Sequence, residues 1–341
     1  MKRLLVMFVA IGVISSVRAQ DTAGAQKLNI ELTATLEAAG RYVSLQGRSL
    51  FITVDLKTNA PASGYWLTLD PDPAAPRVRS QTVPGAWDMA VARTHALVCD
   101  DTPFLSVYAM TETNWTSVAK LKMPSMTENI VLRSNRAYVA NHTAGLTIAD
   151  ISDPAKPGII ANLNPKIDCD GIALWKQCAI LYGHWESRLV LVDVSDPAQP
   201  RELGIYQHEP KTFIQGEVAA NDGIACAVAG KHGLVIVNIA DPANPKLAKV
   251  VDLKGAVTDV ALMDGLAFAA AGQGGVHVLD LKNPAQPVEV GLYRDAAKLG
   301  ATELAVMRNQ RGTLTEYFIY VANAKGPALA LRFRPASRNG G

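Results

Sequence analysis

Between residues 87 and 294 the chain alternates short runs of valine, isoleucine, leucine and alanine with turn residues, and it does so periodically. One phrase returns four times: GLTIADISDPAKP at 145–157, LVLVDVSDPAQP at 189–200, LVIVNIADPANP at 234–245 and VHVLDLKNPAQP at 276–287. Each is an apolar run of strand length that ends in an Asp or Asn and a proline. Proline fixes φ, cannot donate to a ladder and closes the run. The matching positions Asp150, Asp193, Asn238 and Asp280 are 43, 45 and 42 residues apart. A second phrase precedes the first, clearest as EVAANDGIACAVAGKHG at 217–233 and DVALMDGLAFAAAGQGG at 259–275. It reads as a strand, an Asp-Gly turn, a second strand of small residues and a glycine-bearing loop.

A period of about 40–45 residues that holds four strands is the signature of a propeller blade. The order is strand A, turn, strand B, loop, strand C, Asp-Pro turn, strand D, the last supplied by segments such as RELGIYQ at 201–207 and VEVGLYR at 288–294. Weaker copies stand at 88–101, 128–145 and 170–184. At the start, GRYVSLQGRSLFITVDLKTNAP (40–61) matches 265–286 as a B strand, loop and C strand; at the end, YVANAKGPALALRF (320–333) matches 138–151. This predicts seven A strands, beginning near 33, 87, 127, 169, 216, 258 and 302. The expected fold is all-β, a seven-bladed β-propeller of four-stranded antiparallel blades without helices. The last blade runs out of chain after Phe333, and KLNIEL at 27–32 is expected to supply its fourth strand, closing the ring and protecting its edges.

The segments LVLVDVSDPAQP and LVIVNIADPANP resemble the LVIVD repeat of bacterial and archaeal β-propeller proteins. The resemblance covers the third to sixth blades directly and the others by extension. It implies the fold and an exported or surface protein, and it implies no particular activity. The second blade departs most, with Ala109 where Asp150 stands and Thr113-Asn114-Trp115 in place of the Asp-Pro turn.

Of the 341 residues, 49% are hydrophobic and 19% charged, which excludes a disordered chain. A balance of 33 basic against 31 acidic residues argues against nucleic acid as a partner. Lys2 and Arg3, an apolar run from Leu4 to Val17 and the small residues before Gln20 read as a signal peptide over 1–19. Residues 20–341 are then a single domain, exported to the periplasm, the cell surface or the medium, with no transmembrane segment in the mature chain. Export permits pairing among Cys99, Cys169, Cys178 and Cys226, of which only Cys169 and Cys178 are close in sequence. Cys99 and Cys226 sit in apolar runs, so buried structural thiols are expected.

Two groups of residues carry candidate chemistry. An acid opens strand A in six blades, as Asp88, Glu128, Asp170, Glu217, Asp259 and Glu303. Beside a central channel these would form an acidic ring suited to Ca²⁺ or Mg²⁺, which take oxygen ligands. Their symmetric repetition equally suits a construction role, with each carboxylate bonded to backbone N–H groups. Asp150, Asp193 and Asp280 are read as turn residues. The histidines break the symmetry. His142, His184 and His232 fall in successive B–C loops, and His208 lies between blades on the same face, with Trp185, Glu186, Arg188 and Lys231 beside them. Imidazoles gathered on one sector would serve metal binding or acid–base work. Gly272–Gly275 lacks the following helix of a phosphate loop and reads as a hairpin connection. The sequons at Asn114 and Asn141 are weak glycosylation candidates.

No GxSxG, HExxH, P-loop or EF-hand pattern is present. The first expectation is a non-enzymatic binding or scaffold protein for a protein or glycan. The alternatives are a metal-assisted hydrolase or lactonase at the channel mouth, and a subunit of a larger exported complex.

Overall fold

The computed structural model describes residues 26–53, 63–111, 114–209, 211, 217–295 and 298–336. Seven antiparallel sheets follow one another along the chain, and each innermost strand touches those of the blades on either side. The circle closes where Ala301–Arg311 of blade seven meets Tyr42–Gln46 of blade one. Among the described residues there is no helix, and so none long and apolar enough to cross a membrane. The segment read as a signal peptide lies outside the described residues.

The B strands are packed on both faces by neighbouring blades, which is why they read as continuous apolar runs rather than alternations. Cys178–Gly183 and Leu266–Ala270 are buried at every residue. In the latter, Ala267, Ala269 and Ala270 are small enough to let the adjoining sheets approach. Each core is therefore a sandwich between blades, such as Phe268 against Tyr317 and Phe333, with centroids 5.4 and 6.2 Å apart. The outer D strands alternate, and Ile159, Ile205, Leu247 and Val288 stand exposed on the rim.

The repeated Asp-Pro phrase is a pair of side-chain-capped turns. The Asp150, Asp193 and Asp280 carboxylates accept the N–H of Ser152, Ser195 and Lys282 at 2.8, 2.9 and 2.9 Å. Three residues later Asp153, Asp196 and Asn283 do the same for Ala155, Ala198 and Ala285. Blade two closes this corner differently: Thr111 N–H reaches the Asn114 carbonyl at 2.9 Å, and Thr111 Oγ1 accepts the Asn114 N–H at 3.0 Å.

Closure comes from the N-terminal side as expected. Ile30–Thr35 pairs with Leu329–Phe333 and completes blade seven. The chain just before it does something further, since Gln26–Leu28 pairs with Val288–Arg294 as a fifth strand of blade six. Blade one differs from its reading. Tyr42–Gln46 is strand A and Ser49–Thr53 strand B, not B and C, and strand A begins at 42 rather than near 33. The cause is Gly47, whose φ of 58° makes a tight A–B hairpin that mimics a glycine-rich B–C loop in sequence.

Candidate functional site

A, B, C and D strands alternate in direction, so the start of every A strand and every B–C loop lie on one face of the ring. Pairing with strand B sets the level of each acid there. Asp88 lies opposite Cys99, Asp259 opposite Ala270 and Glu303 opposite Ala322. Glu217 holds the same level, its carbonyl accepting the Val228 N–H. In blade three that level belongs to Asn129, opposite Ala140, and Glu128 stands one residue earlier. Asp170 sits in a bulge between Cys169 and Gly171. The expected acids thus surround one channel mouth, but on more than one level.

Most of their oxygens are already engaged. Asp88 accepts the N–H of its neighbour Met89 at 2.7 Å and of Ile130 at 2.8 Å. Asp259 accepts those of Val260 at 2.6 Å and Leu304 at 2.7 Å, and Glu303 accepts that of Val43. Ile130, Leu304 and Val43 belong to the next blade round the ring in each case. Neighbouring innermost strands share no ladder, so these carboxylates are polar links between sheets. Glu217 instead accepts both its bonds from the Asn129 amide, at 3.1 and 3.0 Å.

Crowding acids in so small a volume has an electrostatic consequence. Burial pushes Asp88 and Asp259 up to about 6, against the lowering effect of their backbone bonds. Glu217 and Glu303 are held well above the ordinary carboxylate range, by burial first and then by the neighbouring acids. Glu128, Asp170, Glu217 and Glu303, with Arg41, Tyr42 and Trp87, line a recess of about 180 Å³ at the mouth. Tyr42 and Trp87 stack, with centroids 6.2 Å apart. For a divalent cation the free donors are few, because Asp88, Asp259 and Glu303 already serve N–H groups. Among the described residues no three His, Cys, Asp or Glu side chains converge in a way that would hold a metal ion.

The histidines fall into two seams. Between blades three and four, His142 Nδ1 lies 3.1 Å from Asp168 Oδ1, and His184 Nδ1 bonds Asp170. Glu186 accepts the Asp168 N–H at 3.1 Å. A carboxylate only accepts, so it holds the proton on Nδ1 and leaves Nε2 of His184 as the open nitrogen. Trp185 stands over this pair, 4.6 Å from the His184 ring and 51% exposed. At the seam of blades four and five, His208 is buried with its Nδ1 3.3 Å from the Tyr206 hydroxyl. Burial, then the nearby His232, hold His208 below its ordinary value. His232 and Lys231 are exposed, and Arg188 Nε donates to Gln207 at 3.1 Å.

Other features resolve as structure. The Asn141 amide is wholly buried, bonded to Ser125, Met126 and Thr147, so that sequon is a loop brace. All four cysteines are buried and free. Cys169 and Cys178 stand at opposite ends of one hairpin, opposite Gly183 and Trp175, and do not pair. The His277–Glu289 pair stands outside both groups of sequence candidates: Nδ1 lies 2.6 Å from Glu289 Oε1 and the imidazole is buried. A sequence signal existed, because His277 occupies the place of Thr147, Val190 and Val235 in the repeated phrase.

Residues 124–164, 183–208, 216–252 and 254–295 match the family model described as the LVIVD repeat. No curated protein matches the chain in sequence. Similar solved structures include the WD40 domain of Toxoplasma gondii coronin, at 10% identity and TM-score 0.64 over 92% of this chain and 87% of that one. A Lactobacillus plantarum protein follows at 9% and 0.64 over 85% and 97%. The periplasmic gluconolactonase of Pseudomonas aeruginosa gives 13% and 0.58 over 75% and 86%. At such identities the likeness is one of fold. Matched by the repeat through blades three to six of its seven-bladed ring, the chain belongs to the LVIVD-repeat β-propeller family.

Proposed function

We propose that this chain is an exported, non-enzymatic binding protein that takes a protein partner on the face carrying its B–C loops and channel mouth. The observation that carries the reading is Trp185, a large aromatic half open to solvent yet packed on the His184–Asp170 pair beside an acid-lined recess. Fixed, exposed aromatics anchor interfaces because they bury much area at little entropic cost. Arg188, Lys231 and His232 add polar contacts around it, and the carboxyls of the mouth suit a lysine or arginine of the partner.

The test is affinity capture from an extract of exported proteins with wild type, Trp185→Ala and, on the opposite face, Arg311→Ala as baits. A partner retained by wild type and Arg311→Ala and lost by Trp185→Ala is the expected result. Retention by all three, or capture of nothing specific, refutes it; glycan binding that depends on Trp185 would replace protein with glycan. A second reading, a hydrolase or lactonase at the mouth, is favoured only by the Asp170–His184 pair, which resembles the orienting half of a general base. Lactone hydrolysis abolished by His184→Ala would support it.

A further inference from the structure

A second set of polar side chains stands away from the mouth, in a cleft of about 290 Å³ in the side wall between blades five and six. Along Val276–Asp280 the side chains alternate between neighbouring blades. Val276 and Val278 pack with blade seven, Leu279 packs with blade five, and His277 shares the side of Leu279. His277 is 4% exposed. Glu289 accepts from its Nδ1, so the lone pair stays on Nε2. Nε2 meets no hydrogen-bond partner among the described residues. A buried polar atom left in that state calls for an explanation.

The rest of the lining is equally unspent. The side chains of Asp252, Lys254 and Arg294 form no hydrogen bond or ion pair with any described residue. Two cations, two carboxylates (Asp252 and the His277-bonded Glu289) and one imidazole acceptor therefore surround a single cleft. A metal ion does not fit this set, since no three ligands converge. We propose that the cleft binds a small hydroxylated carboxylate of the uronic-acid kind. Lys254 and Arg294 hold its carboxylate, one hydroxyl donates to His277 Nε2, and Asp252 accepts a second. The volume sits at the low end of the ~300–1,000 Å³ usual for ligand sites, which suits a single sugar unit. Glu289 is a positioning residue that chooses which nitrogen carries the lone pair. The site is separate from the mouth and does not depend on the reading given for it.

The experiment titrates the whole protein with D-glucuronate, D-glucose and acetate, followed by calorimetry and by ¹⁵N NMR of the histidine rings. His277 is assigned through His277→Gln. Glucuronate is expected to bind saturably, to move the His277 Nε2 resonance and to bind about tenfold or more tightly than acetate, with no saturable glucose binding. Arg294→Gln and the exposed Lys254→Gln, neither of which disturbs the core, should each weaken it by about tenfold. Glu289→Gln should shift the His277 tautomer before any ligand is added, which a merely structural role would not do. No saturable glucuronate binding, equal binding of acetate or glucose, or an affinity unchanged in Arg294→Gln and Lys254→Gln overturns the proposal.

Discussion

Asp259 offers a sharp test of the carboxylate links between blades. It is 6% exposed, and its two oxygens accept Val260 N–H within its own strand and Leu304 N–H in blade seven. Burial outweighs those bonds and raises its pKa from 3.8 to about 6. An acid whose folded value lies above its unfolded value is favoured protonated in the fold. Stability is therefore highest below 3.8, falls as pH rises between 3.8 and about 6, and is flat above that window. A displacement of about two pKa units corresponds to roughly 3 kcal/mol, of which about 2 kcal/mol falls between pH 4.5 and 7.5.

Asp259→Asn removes the titrating group and leaves one acceptor oxygen for one of the two N–H groups. At pH 4.5 the variant should be less stable than wild type by about 1–3 kcal/mol, the worth of an unmet buried donor. On going to pH 7.5 wild type should lose about 2 kcal/mol more than the variant, so that the two curves converge. Relief of Glu217 and Glu303, both raised partly by the Asp259 charge, works in the same direction. Urea unfolding at the two pH values reads both quantities. A variant that loses as much stability as wild type over this interval would show that Asp259 is already ionised and comfortable in the fold, and the account of the mouth would be wrong.

Two further outcomes follow from closure and from the thiols. Ile30 is 3% exposed and packs with Phe333, so Ile30→Ala should cost about 2–5 kcal/mol in urea unfolding. Leu28→Ala, two residues away at 42% exposure on the added strand of blade six, should cost about 0.5 kcal/mol or less; equal losses would deny Ile30–Thr35 its closing role. Burial raises the thiols of Cys99, Cys169, Cys178 and Cys226, so Ellman's reagent should find none in the native protein and four after unfolding without reductant. A count below four would mean that a disulfide forms.

What the sequence disclosed and what it hid follow from the same physics. The four Asp-Pro or Asn-Pro phrases announce blades three to six because the turn chemistry sits in contiguous residues: Asp193 and Ser195, Asp196 and Ala198. Blade one is obscured in the sequence because Gln46-Gly47-Arg48 makes a hairpin whose residues look like a loop; only the pairing of Tyr42 with Thr53 tells them apart. The acidic mouth was legible as composition but not as geometry. Glu128 N–H donates to the Ala140 carbonyl, which puts Asn129 rather than Glu128 level with Asp88, and a one-residue offset leaves no trace in a list of acids. The His277–Glu289 pair was hidden more deeply. His277 lies opposite Leu292, and Glu289 lies opposite Leu279, because the ladder slips between Val278 and Leu279. Before that slip is known, no count along the chain brings the two side chains together. Side chains that meet through a bulge are thus the class that pattern reading misses, and in a ring of repeats they are to be sought where one residue departs from its copies on a buried face, as His277 does among Thr147, Val190 and Val235.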